Sequence, residues 1–264
     1  MQKKTLGASL QFSGTRALVI LAGVLCLCLP GFANTDQVFN QTYKLPAGGH
    51  FQLDNVNGSV QVEGWDRDEV EVRAVKSSQT DSHDLDQVKI EVESRPGEVD
   101  VHTRYPTGEG AEVAVEYHIR VPNRVLLGCI QTVNGSLRVR GVNGGGELRS
   151  VNGNVEVTES SGRFSAKTTN GDLRLELRHL IDGAPMNLET VNGSVVLGLP
   201  SNASADLKVR NMNGDLYSDF PVTSTEALPG ARAFHGKLGH GGGGPISVRT
   251  VNGGIRLLLE RPGV

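Results

Sequence analysis

The dipeptide Asn-Gly recurs eight times between residues 34 and 264, and its placement restricts the fold more than any other feature of the chain. The copies begin at Asn57, Asn134, Asn143, Asn152, Asn170, Asn192, Asn213 and Asn252. Six follow Val, and Thr169 and Met212 precede the other two. A small or polar residue comes next, then usually an alternating apolar run, as in VNGSVQV, VNGSLRV, VNGNVEV and VNGSVVL. From Asn134 the steps are 9, 9 and 18 residues, with Ser161-Gly162 as a degenerate corner midway along the third, then 22, 21 and 39. The 39-residue step reads as two rungs with one corner lost.

An 18-residue alignment puts Asn134, Asn152 and Asn170 in one column and Gly135, Gly153 and Gly171 in the next. Leu137, Val155 and Leu173 form an apolar column, as do Val139, Val157 and Leu175. Between them lie Arg138, Glu156 and Arg174. Alternating apolar and polar columns describe strands with one buried face. If like positions stack, the alternating sign puts opposite charges side by side, each exposed pair contributing only a few tenths of a kcal/mol.

Two architectures use such a pattern. Asn-Gly between alternating strands is a hairpin signal through a type I′ turn, which gives an antiparallel meander. The other is a β-solenoid in which the chain turns at each Asn-Gly and like stacks on like. There Asn and Gly both tolerate a left-handed corner, and stacked Asn amides can bond to one another. A meander gives no reason for residues eighteen apart to match. The expected fold is therefore all-β, a β-solenoid or β-roll of stacked rungs of about 18–22 residues with Asn-Gly corners. Gly supplies 34 of 264 residues, about 13% against a usual ~7%, and aromatics only 5%, which suits short strands and tight turns.

Residues 34–124 are β-patterned but less regular, in segments such as HFQLDNVNGSVQVEGW and AEVAVEYHIRVP, and are expected to continue into the regular repeats of 125–264 as one domain. An inserted loop is expected near 220–246, including GKLGHGGGGP. No helical periodicity stands out after residue 33.

The first 33 residues read as a signal peptide. Lys3, Lys4 and Arg16 precede the apolar run from Ala17 to Leu29, too short for a membrane span. Gly31-Phe32-Ala33 offers a cleavage site after Ala33; the alternative is an uncleaved anchor. Cleavage leaves a formal net charge of −6 and no integral membrane segment. An acidic exported domain argues against nucleic acid as a partner. Cys129 is then the lone cysteine, expected as a buried small hydrophobe.

Catalytic patterns are largely absent. His235 and His240 flank a glycine-rich stretch but lack a third metal ligand nearby, so the expectation is a mobile surface loop. His240 to Gly243 mimics an oxyanion element, yet no G-x-S-x-G nucleophile elbow accompanies it. Asp172 and Asp215 follow Asn-Gly where Ser136, Asn154 and Ser194 stand in other copies, which suits a corner role over acid–base work. Asp66, Asp68 and Glu69 cluster beside Trp65, the only tryptophan, expected to cover the end of the core, with a sugar platform as the alternative. No catalytic, cofactor-binding or metal-binding residue is assigned, and no cofactor is implied.

The opening PAGGHFQLDNVNGSVQVEGWDRDEVEV and the repeated TVNGSLRV, SVNGNVEV and TVNGSVVLGLP units resemble the bacterial putative-adhesin family. The resemblance implies a β-solenoid at the cell envelope and carries no catalytic residue set. The expected function is an exported, non-catalytic adhesin-like protein, periplasmic or at the cell surface, binding an envelope protein or glycan, with self-association possible through sheet edges. The alternative is a polysaccharide-active solenoid enzyme, a lyase or hydrolase.

Overall fold

The protein was analysed as a computed structural model, which describes residues 36–78, 82–106, 112–181, 183–220, 226–228 and 231–260; the expected signal peptide lies outside them. The first strands are β1 (Gln37–Lys44), β2 (His50–Asp54), β3 (Val60–Trp65), β4 (Glu69–Ser78), β5 (Lys89–Arg95), β6 (Glu98–Arg104) and β7 (Val113–Pro122). The middle carries β8 (Leu126–Gln131), β9 (Leu137–Arg140), β10 (Gly146–Arg149), β11 (Val155–Ser161), β12 (Phe164–Lys167), β13 (Leu173–His179), β14 (Met186–Asn192) and β15 (Val195–Pro200). The last part carries β16 (Ala205–Asn213), β17 (Leu216–Ser218), β18 (Glu226–Leu228), β19 (Ala231–Leu238), β20 (Pro245–Asn252) and β21 (Ile255–Glu260). One short helix, α1 (Ser82–Gln87), follows β4 and was not anticipated.

These strands form two sheets. Sheet A has the order β1-β4-β7-β3-β9-β11-β13-β15-β21-β17, and sheet B the order β18-β19-β16-β20-β14-β12-β10-β8-β2-β6-β5. Each of eight rungs gives one strand to each sheet, and neighbouring rungs run parallel. Parallel pairing excludes the hairpin meander and establishes the solenoid. Val60, Leu137, Val155, Leu173, Val195 and Ile255 are successive register partners, all fully buried. Burying each such side chain contributes about 1.5–3 kcal/mol relative to leaving it exposed.

The rungs do not stack in chain order. At one end β6–β7 lies outside β2–β3, and the chain returns to lay β8–β9 on the other side of β2–β3. At the other end β16–β17 is outermost, and the last rung, β20–β21, inserts between it and β14–β15. The 39-residue step is thus not two successive rungs with a lost corner. It contains a hairpin, β18–β19, whose second strand pairs antiparallel with β16.

Antiparallel strands cover further edges: β4 and β1 continue sheet A beyond β7, and β5 continues sheet B beyond β6. The edge strand β5 carries alternating charge, as KIEVESR, a composition that discourages pairing with foreign strands. The N-terminal end of the core is filled by Tyr117, whose hydroxyl shares a 2.7 Å hydrogen bond with buried Thr103.

Candidate functional site

At the regular corner, the strand of sheet B turns into the strand of sheet A through Asn-Gly. Seven asparagines stack there in the spatial order 57, 134, 152, 170, 192, 252, 213. Six amide-to-amide hydrogen bonds of 2.8–2.9 Å join them. Asn143 is not among them. It sits at the opposite corner, between β9 and β10, where its N–H donates to the carbonyl of Asn123 at 2.6 Å. The nine-residue steps are therefore half-rungs, and Ser161-Gly162 belongs to that second corner, with Ser161 N–H donating to Val142 O at 3.0 Å.

The corner does not rely on a left-handed asparagine, because Glu159 is the one non-glycine residue with positive φ among those described. Nor does Gly153 have a left-handed φ. Glycine is required there by closeness: a Cβ on Gly153 would lie 2.0 Å from the carbonyl oxygen of Gly135 on the neighbouring rung.

A second column, missed from the sequence, lies two residues before each asparagine. Thr132, Ser150, Thr168, Thr190 and Thr250 are buried, and their hydroxyls donate to glycine carbonyls of the adjacent rung at 2.8–3.1 Å. Buried Asn55 and Asn211 take this position near the two ends. The Asn55 amide reaches three carbonyls, including Val115 O at 3.0 Å. The readable signal was a polar residue recurring in phase with the corner, and a buried hydroxyl needs a partner.

The residues after Asn-Gly form a third column. Asn154 Oδ1 accepts from Asp172 N–H at 2.9 Å, and Asp172 Oδ1 accepts from Ser194 N–H at 2.7 Å. Asp172 is accordingly a corner residue, as expected. Asp215 also sits at a corner, its carbonyl accepting from Ile255 N–H at 2.9 Å.

Trp65 neither covers the core nor offers a free sugar platform. It is half-buried, its indole N–H donates to Glu69 O at 2.8 Å, and the guanidinium groups of Arg67 and Arg120 lie 4.9 Å and 5.9 Å from the ring centre. Asp68 ties the neighbouring loop, accepting from Ala47 N–H at 3.2 Å, while Asp66 is exposed.

Cys129 departs from its expected burial. The register slips between Leu127 and Ile130, so these two both face the core and Cys129 sits half-buried beside Glu147. Partial burial raises the thiol pKa, with Arg149 opposing, which leaves it a poor nucleophile.

The expected loop near 220–246 is largely ordered strand and turn, although residues 221–225 and 229–230 lie outside the described set. His235 is exposed on β19 opposite Lys208, and His240 is exposed in the turn after β19. Arg163, 8% exposed, donates to Ile181 O at 2.6 Å and to the carbonyl of buried Gly243, holding the glycine-rich turn against the body of the protein. No group of three or more His, Cys, Asp or Glu is placed to hold a metal among the described residues.

Charged side chains lie on the outer faces, and ion pairs are spread over both sheets. The expected Arg138–Glu156 pair is present at 3.6 Å, whereas Arg174 turns to Glu176 on its own strand instead of to Glu156. On sheet B, Glu147 pairs with Arg149 at 2.5 Å and Glu189 with Lys167 at 3.2 Å. A trough of about 790 Å³ crosses that face from β8 to β20, past Gly146, Ser165, Asn187 and Ser247. On sheet A, a second depression lies over Val196, Tyr217, Arg256 and Leu258. No helix among the described residues is long and apolar enough to cross a membrane.

This is a two-sheet parallel β-solenoid whose corner side chains bond largely to one another and to the backbone, with its charged side chains on two broad outer faces. The chain belongs to the Toastrack DUF4097 family, which it matches over residues 44–257. That match bears out the resemblance carried by the V-N-G corners. Among solved structures, the chain is similar to a putative cell adhesion protein from Clostridium sporogenes, at 13% identity over 85% of this chain and 100% of the other, with a TM-score of 0.46. It is also similar to a putative adhesin from Bacteroides fragilis, at 10% identity over 84% of this chain and 97% of the other, with a TM-score of 0.42. No curated protein matches it.

Proposed function

We propose that the chain is an exported, non-catalytic binding or scaffolding protein of the bacterial envelope, periplasmic or at the cell surface, directed there by residues 1–33. The observation carrying this reading is the use made of its polar groups. Corner carboxylate Asp172 accepts a backbone N–H, and Glu147 and Glu189 in the sheet B trough are held by cations. A polysaccharide-cleaving solenoid requires two carboxylates facing one another across a bound chain, one of them able to hold a proton. The partners in this reading are an envelope protein or glycan, or a second copy meeting a sheet edge, and not nucleic acid.

In-cell crosslinking of the processed protein, followed by mass spectrometry, tests the proposal. Capture of one dominant envelope partner is the expected result. Self-crosslinks alone would favour a purely structural role. Chain shortening of a polysaccharide by the purified protein would overturn the non-catalytic reading.

A further inference from the structure

The cations of this protein are unevenly satisfied. Arg95, Arg104, Arg120, Arg138, Arg140, Arg149, Lys167, Arg174 and Arg178 all sit in ion pairs. Lys44, Arg73, Lys89 and Arg256 sit in none, but they are spread over other strands, whereas on β16, β19 and β20 four such cations come together. No carboxylate is within ion-pair distance of Lys208, Arg210, Lys237 or Arg249 among the described residues. All four are exposed on the outer face of sheet B. Arg210 and Arg249 are register partners, as are Lys208 and His235. Register partners on adjacent strands lie about 4.8 Å apart, so these cations are gathered on one face, with Glu189 beside Arg249 and Asp206 beside Lys237 as the carboxylates among them.

This patch continues the sheet B trough. The floor of the trough passes Ser165, Asn187 and Ser247, and its far end is walled by Arg249. Lys208 stands beside Ser247, and Arg210 beside Arg249. From β8 to β20 the trough crosses five strands, a length of about 19 Å at ordinary strand spacing. Its hydroxyl and amide groups can both donate and accept hydrogen bonds. Glu147 and Glu189 line the same trough. A polyanion without hydrogen-bond donors, such as polyphosphate, would only be repelled by those carboxylates, whereas a glycan with one carboxylate and several hydroxyls on each sugar could donate to them. No aromatic side chain lines it, which removes the stacking platform single-stranded nucleic acid uses.

We propose that the sheet B trough and its basic end bind an acidic polysaccharide, a linear glycan whose carboxylates are held by Arg210, Arg249 and Lys208 and whose hydroxyls bond along the floor. This rests on the non-catalytic binding reading above and names its ligand class.

The test is titration of residues 34–264 with polygalacturonate at low and high salt, with inorganic polyphosphate as the competing anion. Saturable binding to polygalacturonate, weakened by salt, is expected. Arg210→Glu with Arg249→Glu should weaken it at least tenfold, and the double lysine replacement should keep it within about threefold. Lys44→Glu with Arg73→Glu changes net charge equally on sheet A and should alter it less than twofold. Equal losses from both charge reversals, tighter binding of polyphosphate, or no binding to polygalacturonate would each overturn the proposal. Unchanged melting temperatures in the variants keep the comparison valid. A null titration alongside one crosslinked envelope protein would remove this inference and leave the binding reading standing, whereas depolymerisation of the glycan would remove both.

Discussion

The side-chain amide of Asn152 donates to Oδ1 of Asn134 at 2.8 Å, eighteen residues earlier in the chain and one rung away in space. Asn152 also accepts from Asn170 at 2.8 Å, so each interior member of the ladder is both donor and acceptor. Asn152→Ala should lower stability by roughly 1–2 kcal/mol, the net value of one or two hydrogen bonds. Asn213 ends the ladder with one such bond, so Asn213→Ala should cost about half as much. Denaturant unfolding of both variants would show it, and equal losses would deny the ladder any cumulative role.

Gly153 and Gly254 occupy related corners but face different constraints. Gly153→Ala would place a methyl 2.0 Å from Gly135 O, and should destabilise the protein by well over ~1 kcal/mol through displaced backbone. At Gly254 the nearest atom to an added Cβ is Asp215 O at 3.5 Å, and its φ is not left-handed. Gly254→Ser should change stability by less than about 0.5 kcal/mol. Thermal unfolding separates the two, and a tolerated Gly153→Ala would sink the close-approach explanation.

Asp100 on β6 carries a raised pKa, first from partial burial and then from Glu98, with Arg95 and His102 opposing. A carboxyl whose folded pKa lies above its unfolded one binds more protons when folded, so its charge costs stability as pH rises through that window. Asp100→Asn should therefore raise the Tm at pH 7. The gain should shrink on acidification and vanish below the ordinary value of 3.8. A pH series of melting curves checks this, and a gain that grew toward low pH would contradict it.

The glycine-rich turn gives a contrast between exposed and buried side chains. His235→Ala with His240→Ala should leave stability within about 0.5 kcal/mol. Arg163→Ala removes two bonds to carbonyl oxygens and should cost roughly 2–4 kcal/mol. Protease sensitivity at Gly241–Gly244 should rise only in the Arg163 variant, and a rise in the histidine variant would assign the restraint to the wrong residue.

Some of this was readable in advance because it repeats. Leu137, Val155 and Leu173 match at eighteen residues and are consecutive register partners, so period alone placed them. Period carries no information about spatial order, and the exchange of rungs at both ends was invisible for that reason. The alternation in ARAFHGKL was a readable strand signal, obscured by the glycines that follow. Nothing in the neighbours of Thr168 says that the corner folds it inward, where it is 1% exposed. The sheet B patch was hidden because Arg249 is far along the chain from Lys208 and Arg210 and meets them only through the inserted last rung.

That inserted rung also limits how such a molecule can change in length. Asn213 and Asn252 are neighbours because β20 lies between β14 and β16. A repeat appended after residue 260 would start from β21, which already has β15 on one side and β17 on the other, and one prepended before β2 would meet the returning strands β6 and β7. Only between Asn134 and Asn192, where chain order and spatial order coincide, can a duplicated gene segment of one rung slip in without rewiring its neighbours. Relatives of different size should differ in that interval, with both ends inherited intact.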